Sequence, residues 1–253
     1  MLFTCHLESE TNIGRLALSR FIRMMGRKPT ADDKVDLAKR RQIFLRRIDA
    51  FDGQASELFP GVDFSIESMH APPVEYGYEH DNDLEMLLAN PPSSDKLLPE
   101  NMEIILPSSF TDLPEQMAIA HQWEIHLRIA QANDTLAAIR LEIGHKSFIY
   151  RKEINIQESK KGKTRAYAQV NTADRNLAHH LWVYAQARWA LSRLGASDEI
   201  LKKYKPIQKK DTHTLPNISQ SNVPGNRNRN IPWFWGMNIH GDSIESFHME
   251  ECK

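Results

Sequence analysis

Two apolar repeats restrict what this chain can fold into more than any other feature of it. The first runs through Ile125, Ile129, Ala132, Leu136, Ile139 and Ile143, in alternating steps of four and three. The second runs through Val170, Ala173, Leu177, His180, Tyr184, Ala187, Leu191 and Leu194, in alternating steps of three and four. Either spacing lays one apolar stripe along a helix, and such a stripe is stable in water only against another helix. The first repeat predicts a helix from about Thr111 or Asp112 to about Ile154, which at 1.5 Å per residue reaches ~60 Å. The second predicts a helix from about Thr164 to Leu194. A polar, basic connector, QESKKGK, separates them, so a long antiparallel hairpin is expected. Gly195 then stands where a left-handed C-cap is needed, and Ser197 precedes a further short helix.

The other segments are subordinate to this hairpin. Residues 12–59 read as two N-terminal helices, the second starting at a capping box formed by Thr30 and Asp33 and carrying Leu37, Phe44, Ile48, Phe51, Ala55 and Leu58 on one face. Residues 60–110 hold seven prolines, and eight acids stand against one lysine between Glu75 and Glu103, which predicts an acidic loop with at most a short helix near Leu84 to Leu88. Residues 111–204 form the hairpin, and 205–253 an irregular tail whose one strong apolar cluster is Ile231 to Met237. The predicted fold is therefore all-α: a long antiparallel helical hairpin within a small helical bundle, with an acidic loop and an irregular C-terminal tail.

Composition narrows the function. A formal charge of -1 over 253 residues leaves no global field to draw the chain to nucleic acid or membrane, so any such attraction has to be local. No apolar run approaches the ~20 residues that span a bilayer, and the start has no basic segment followed by an apolar one, so an intracellular location is expected. Cys5 and Cys252 lie at opposite ends, without the close Cys pairing of structural zinc sites, and no metal or cofactor site is predicted. Asp81, Asp83 and Glu85 alternate in the acidic loop, but no β-rich scaffold gathers them, and they read as solvated. No phosphate loop, dinucleotide fingerprint or nucleophile elbow occurs, so neither a small-molecule ligand nor a catalytic residue is predicted.

Several ordered motifs together resemble one family. They are Lys39 to Arg41, RRIDAF at Arg46 to Phe51, LPSSF at Leu106 to Phe110, LRIAQANDTLAAIR at Leu127 to Arg140, and IGHKSFIYR at Ile143 to Arg151. Lys163 to Arg165, VYAQAR at Val183 to Arg188, Val223 to Arg227, and Ile231 to Trp235 follow in order. Across residues 12–237 the chain resembles the C-terminal, non-catalytic helical region of fungal KDZ-type transposases, in the form associated with a cysteine cluster. The last motif departs from the family's usual Ser-Trp-Ile-Trp, with Pro232 and Phe234 intruding. The resemblance implies a transposon-encoded protein, nuclear in that case. Its RNase H-like metal-dependent domain would lie upstream, and two cysteines cannot build the cluster.

Two basic clusters are the candidate nucleic-acid contacts. Lys160, Lys161, Lys163 and Arg165 lie in a segment from Lys146 to Arg165 with seven cations and two acids, and Lys202 and Lys203 begin a second cluster without acids. If both clusters shared one end of the hairpin they would neutralise several phosphates without reading sequence. Trp233, Phe234 and Trp235 are candidate partner contacts, the other expectation being that they fold back over an end of the bundle. The partners expected are thus DNA, bound non-specifically, or protein, including a second copy, through the helical seams. The competing class is a helical interaction module repurposed by its host, with no DNA role.

Overall fold

Helix formation here follows the apolar periodicity closely, and the helices end where capping chemistry allows it. The computed structural model describes residues 11, 14–22, 24–25, 29–63, 98–99, 102, 104–156, 159–212 and 231–237. Among the described residues there is no strand, and the fold is all-α. Helical residues 14–22 form α1, Ala31–Leu58 form α2, Ala118–Ile149 form α3, Lys160–Arg193 form α4 and Asp198–Lys203 form α5. Short 3-10 turns occupy Pro107–Ser109, Glu115–Met117, Lys209–Thr212 and Trp233–Gly236. The acids Asp81, Asp83 and Glu85, the short helix expected near Leu84 to Leu88, and both cysteines lie outside the described residues.

The hairpin is α3 against α4. Lys146, near the end of α3, pairs with Asp174 in α4 at 2.5 Å. His121, in the first turn of α3, donates from Nε2 to the carbonyl of Leu194 just past α4, at 2.9 Å. Those two contacts make the helices antiparallel. Ala132, Leu136 and Ile139 of α3 are fully buried against Leu177, Leu181, Ala187 and Leu191 of α4, with Ile143 and Tyr184 almost so. Alanines at the contact let the two backbones approach while leucine and isoleucine fill the gaps between them.

One seam position differs from the expected repeat. His180 is only partly buried, and the fully buried residue beside it is Leu181. The buried stripe runs through Leu177, Leu181, Tyr184, Ala187 and Leu191, which stays within one face of a helix of 3.6 residues per turn. Two further expectations are corrected at the turn of the hairpin. Ser159 caps α4, its hydroxyl accepting from Gly162 N, so Lys160, Lys161 and Lys163 belong to the helix and not to a connector. The last turn of the α3 rod is a π-helix, Tyr150–Ile154, closed by Asn155 N donating to Tyr150 O.

The caps are as local chemistry dictates. The Thr30 hydroxyl accepts from Asp33 N and Thr30 N donates to the Asp33 carboxylate, a complete capping box; donation by the Thr30 hydroxyl, and then by Thr30 N, holds the Asp33 carboxyl below its ordinary pKa. At the end of α4, Gly195 has φ +63, Ala196 N donates to Leu191 O and Gly195 N to Ser192 O. This pair of bonds satisfies carbonyls that the helix leaves open, and it needs a left-handed residue that glycine adopts without strain.

Two layers are added to the hairpin. Phe44, Ile48, Phe51 and Ala55 of α2 form a second core with Leu18 of α1 and with Ile104 and Leu106, and Arg20 of α1 donates to Asn176 of α4. On the other layer the tail's 3-10 turn inserts Phe234, wholly buried, into the hairpin core, while Arg140 of α3 donates to the carbonyls of Phe234 and Met237. Phe234→Ala is expected to lower the unfolding free energy by about 3–5 kcal/mol in urea titration. Exposed Ile231→Ala should change it by less than about 0.5 kcal/mol. Equal effects at the two positions would mean that the tail is not docked.

Candidate functional site

Two regions of the hairpin carry chemistry, and they lie in different parts of it. The first is its turn end. Lys160, Lys161, Lys163 and Arg165 are all exposed on the first turns of α4, and exposed Arg151 and Lys152 lie across the turn in the π-helix. Nearby charge of opposite sign is occupied. Asp174 is taken by Lys146, and the Gln169 amide, correctly oriented, donates to the carboxylate of half-buried Glu153. No ion pair among the described residues engages Lys160, Lys161, Lys163 or Arg165. Cations also stand here against the helix dipole, whose N-terminal end favours negative charge by ~0.3–1 kcal/mol per group. Leu141, Phe148, Ile156 and Tyr167 are exposed in the same part of the hairpin.

Lys202 and Lys203 do not join this cluster. They lie in α5, beyond the far end of the 34-residue α4, which separates them from Lys160 by ~50 Å of helix. The condition that the two clusters share one end is therefore not met, because the short turn at Gly195 continues the chain at the base of the hairpin. The Lys203 ammonium sits 5.4 Å from the Tyr204 ring centroid. Trp233, Phe234 and Trp235 are placed by the same turn: Phe234 is inside the protein's own core, and both indoles are half-buried with Nε1 atoms that meet no hydrogen-bond partner. As a partner contact, Phe234 is already spent on the interior.

The second region was not legible as a site. Glu124 and Arg128 are one turn apart in α3, a spacing common on solvated helix faces, yet they are 2% and 7% exposed. Glu124 accepts from Ser108 N at 2.8 Å and from the Ser108 hydroxyl at 2.7 Å, and Arg128 donates to it from Nε and Nη2. Arg193 of α4 donates to the carbonyl of Phe110 at 2.8 Å. LPSSF is thus a strap whose backbone is held by one buried carboxylate and one guanidinium, which explains the motif's Ser108. Trp123 is exposed, while Glu124 beside it takes the inward position.

Beside this pair a cavity of about 350 Å³ opens between α1, α3 and α4. Its walls include Leu16, Leu106, Leu127, Arg128, His179 and His180. Burial, and then the nearby charge of Arg20, push the His180 imidazole from 6.5 to about 4, so it is neutral at pH 7. Among the described residues no group of three or more His, Cys, Asp or Glu is placed to hold a metal ion, and no helix is long and apolar enough to cross a membrane. Compared with protein-family models, with curated proteins and with solved structures, the chain matches none.

Removing the Glu124 carboxylate strands a buried guanidinium and frees the strap. Glu124→Ala is accordingly expected to destabilise the protein by about 3–5 kcal/mol in urea unfolding, and exposed Glu199→Ala by less than about 0.5 kcal/mol. His180 gives a pH dependence whose sign is fixed. The unfolded imidazole takes a proton near 6.5 and the folded one only near 4, so stability present above pH 6.5 is lost as pH falls towards 4. The urea midpoint of the wild type should therefore drop more between pH 7 and pH 4.5 than that of His180→Gln. Parallel profiles for the two proteins would remove His180 as the cause.

Proposed function

We propose that this chain is a non-catalytic helical module of a transposon-encoded protein, similar to the C-terminal helical region of KDZ-type transposases, and that it contacts DNA through the turn end of the hairpin. The observation that carries the DNA reading is the exposed set Lys160, Lys161, Lys163 and Arg165 on one rigid helix start, without acidic partners among the described residues. Cations placed against a helix dipole gain nothing for folding, and an external polyanion is the partner that makes use of them. Arg151 and Lys152 widen the same surface. The contact proposed is to phosphates, which exposed lysines neutralise as point charges without reading sequence. Lys202 and Lys203 fall outside this contact.

A second reading has its own support. Leu141, Phe148, Ile156 and Tyr167 are exposed close to the cations, and apolar side chains in that setting suit a protein partner or a second copy. That reading is the host-repurposed interaction module without a DNA role.

Salt separates the two. On the DNA reading, duplex affinity measured by mobility shift falls steeply between 50 and 200 mM salt, with a log–log slope of about -3 to -4 for four phosphate contacts. Replacing Lys160, Lys161 and Lys163 by Ala reduces the magnitude of that slope by about 2 to 3 and leaves the helical content unchanged. Unchanged affinity in the triple variant rules out this surface, and salt-insensitive self-association in sedimentation favours the protein-partner reading.

A further inference from the structure

We propose that the outward face of α3 is a homodimer interface, on which a second copy of this chain lays the same helix antiparallel. This interface takes Leu141 and Phe148 from the protein-partner reading but neither Ile156 nor Tyr167, and it rests on no part of the DNA reading.

The face is a second seam. Trp123, Leu127, Ala130, Asp134, Ala137, Leu141, Gly144 and Phe148 follow one another in alternating steps of four and three without a break. At ~100° per residue they form a stripe ~150° around α3 from the one that packs on α4. A repeat sustained over more than three heptads is the pattern of a coiled-coil seam, and Asp134 is its one polar member. Three of its large members stay in water: Leu141 is 72% exposed, Phe148 49% and Trp123 43%. Together they leave on the order of 300 Å² of apolar surface uncovered in each copy, the scale at which such a patch marks an interaction site.

The seam is complementary to itself. In an antiparallel pair the two position types of the repeat face each other, and a two-fold axis midway between Asp134 and Ala137 brings all eight positions into layers. Phe148 then meets Trp123 of the second copy, Leu127 meets Gly144, Leu141 meets Ala130, and Asp134 meets Ala137. Each leucine thus lies opposite a small residue, the aromatic rings meet each other, and the glycine and alanines let the backbones approach. A parallel pair would set like on like: Gly144 facing Gly144 leaves a gap, and Asp134 facing Asp134 repels. Charge also favours this face over the turn end, where a second copy would bring cations against Lys160, Lys161 and Lys163. The antiparallel pair instead holds the two basic turn ends ~45 Å apart. The seam is ~38 Å long, and a helix pair of that length falls at the low end of specific interfaces, which makes the dimer reversible.

The test is sedimentation velocity of the full chain over a concentration series up to about 0.5 mM. Monomer is expected to pass to dimer, with a dissociation constant that changes less than about threefold between about 50 and 500 mM salt, as suits an apolar seam. Leu141→Glu, at a position exposed enough to keep the fold, should raise that constant at least about a hundredfold, because the two-fold buries the new charge twice. Ile156→Glu, exposed but outside the seam, should leave it within about threefold, and circular dichroism of both variants should match the wild type. With Cys5 and Cys252 replaced by Ser, oxidation should cross-link chains that carry Ala130→Cys and Leu141→Cys together. Neither single variant should cross-link, since each of these positions lies ~16 Å along the helix from its own counterpart in the antiparallel pair. A monomer at every concentration overturns the proposal. So do a dimer that dissociates in high salt, one unaffected by Leu141→Glu, one weakened equally by Ile156→Glu, or cross-linking of either single variant.

Discussion

The seam between α3 and α4 is the interaction on which the rest of the structure depends. Leu136, Ile139, Leu177, Leu181 and Leu191 have essentially no contact with water, and burying each such side chain contributes on the order of 1.5–3 kcal/mol. Three irregular segments are then attached to this rod. Residues 104–110, the segment 204–208 and the tail around Phe234 have too few local hydrogen bonds to hold their own shape. They take it from the hairpin.

Those attachments share one physical device, a side chain from the hairpin bonded to the backbone of an irregular segment. Arg140 holds the carbonyls of Phe234 and Met237, Arg188 donates to Tyr204 O, Tyr184 OH donates to Lys205 O, and Arg193 donates to Phe110 O. Glu124 does the same for a donor, accepting from Ser108 N. A loop carbonyl next to a dry core would otherwise be desolvated without a partner, which costs ~1–3 kcal/mol per group. Long arginine side chains suit this task because they bury their stems along the helix and deliver donors at its edge. Their cost is the desolvation of the charge, seen in the lowered pKa of Arg140.

The same architecture separates the chain's two chemical surfaces. The turn end keeps its cations in water, where they act through long-range, salt-sensitive attraction. The cavity keeps Arg128 away from water, where attraction is short-ranged and geometrical. The seven cations from Lys146 to Arg165 looked alike in the sequence, but Lys146 is tied to Asp174 and leaves that group. Charge counts along a chain cannot tell a paired lysine from a free one.

The sequence by itself determined the all-α class, the two long helices of the hairpin and the caps at Thr30 and Gly195, although α3 begins at Ala118 and not near Thr111 or Asp112. Those rest on short-range periodicity, as in the Leu136-Ile139-Ile143 stripe, and on cap chemistry within four residues, as at Thr30 and Gly195. Only the tertiary structure decided what the polar residues do. Glu124 and Arg128 follow a spacing common on solvated helix faces, and their burial depends on Ser108, which lies sixteen residues from Glu124. His180 kept the alternation of the repeat, but in the packed hairpin it is Leu181, one residue on, that is fully buried. The two lysine clusters were neighbours in composition and became ~50 Å apart, because a straight helix lies between them. Local pattern fixes local geometry, whereas the burial and pairing of a charge depend on which distant segment the fold brings against it.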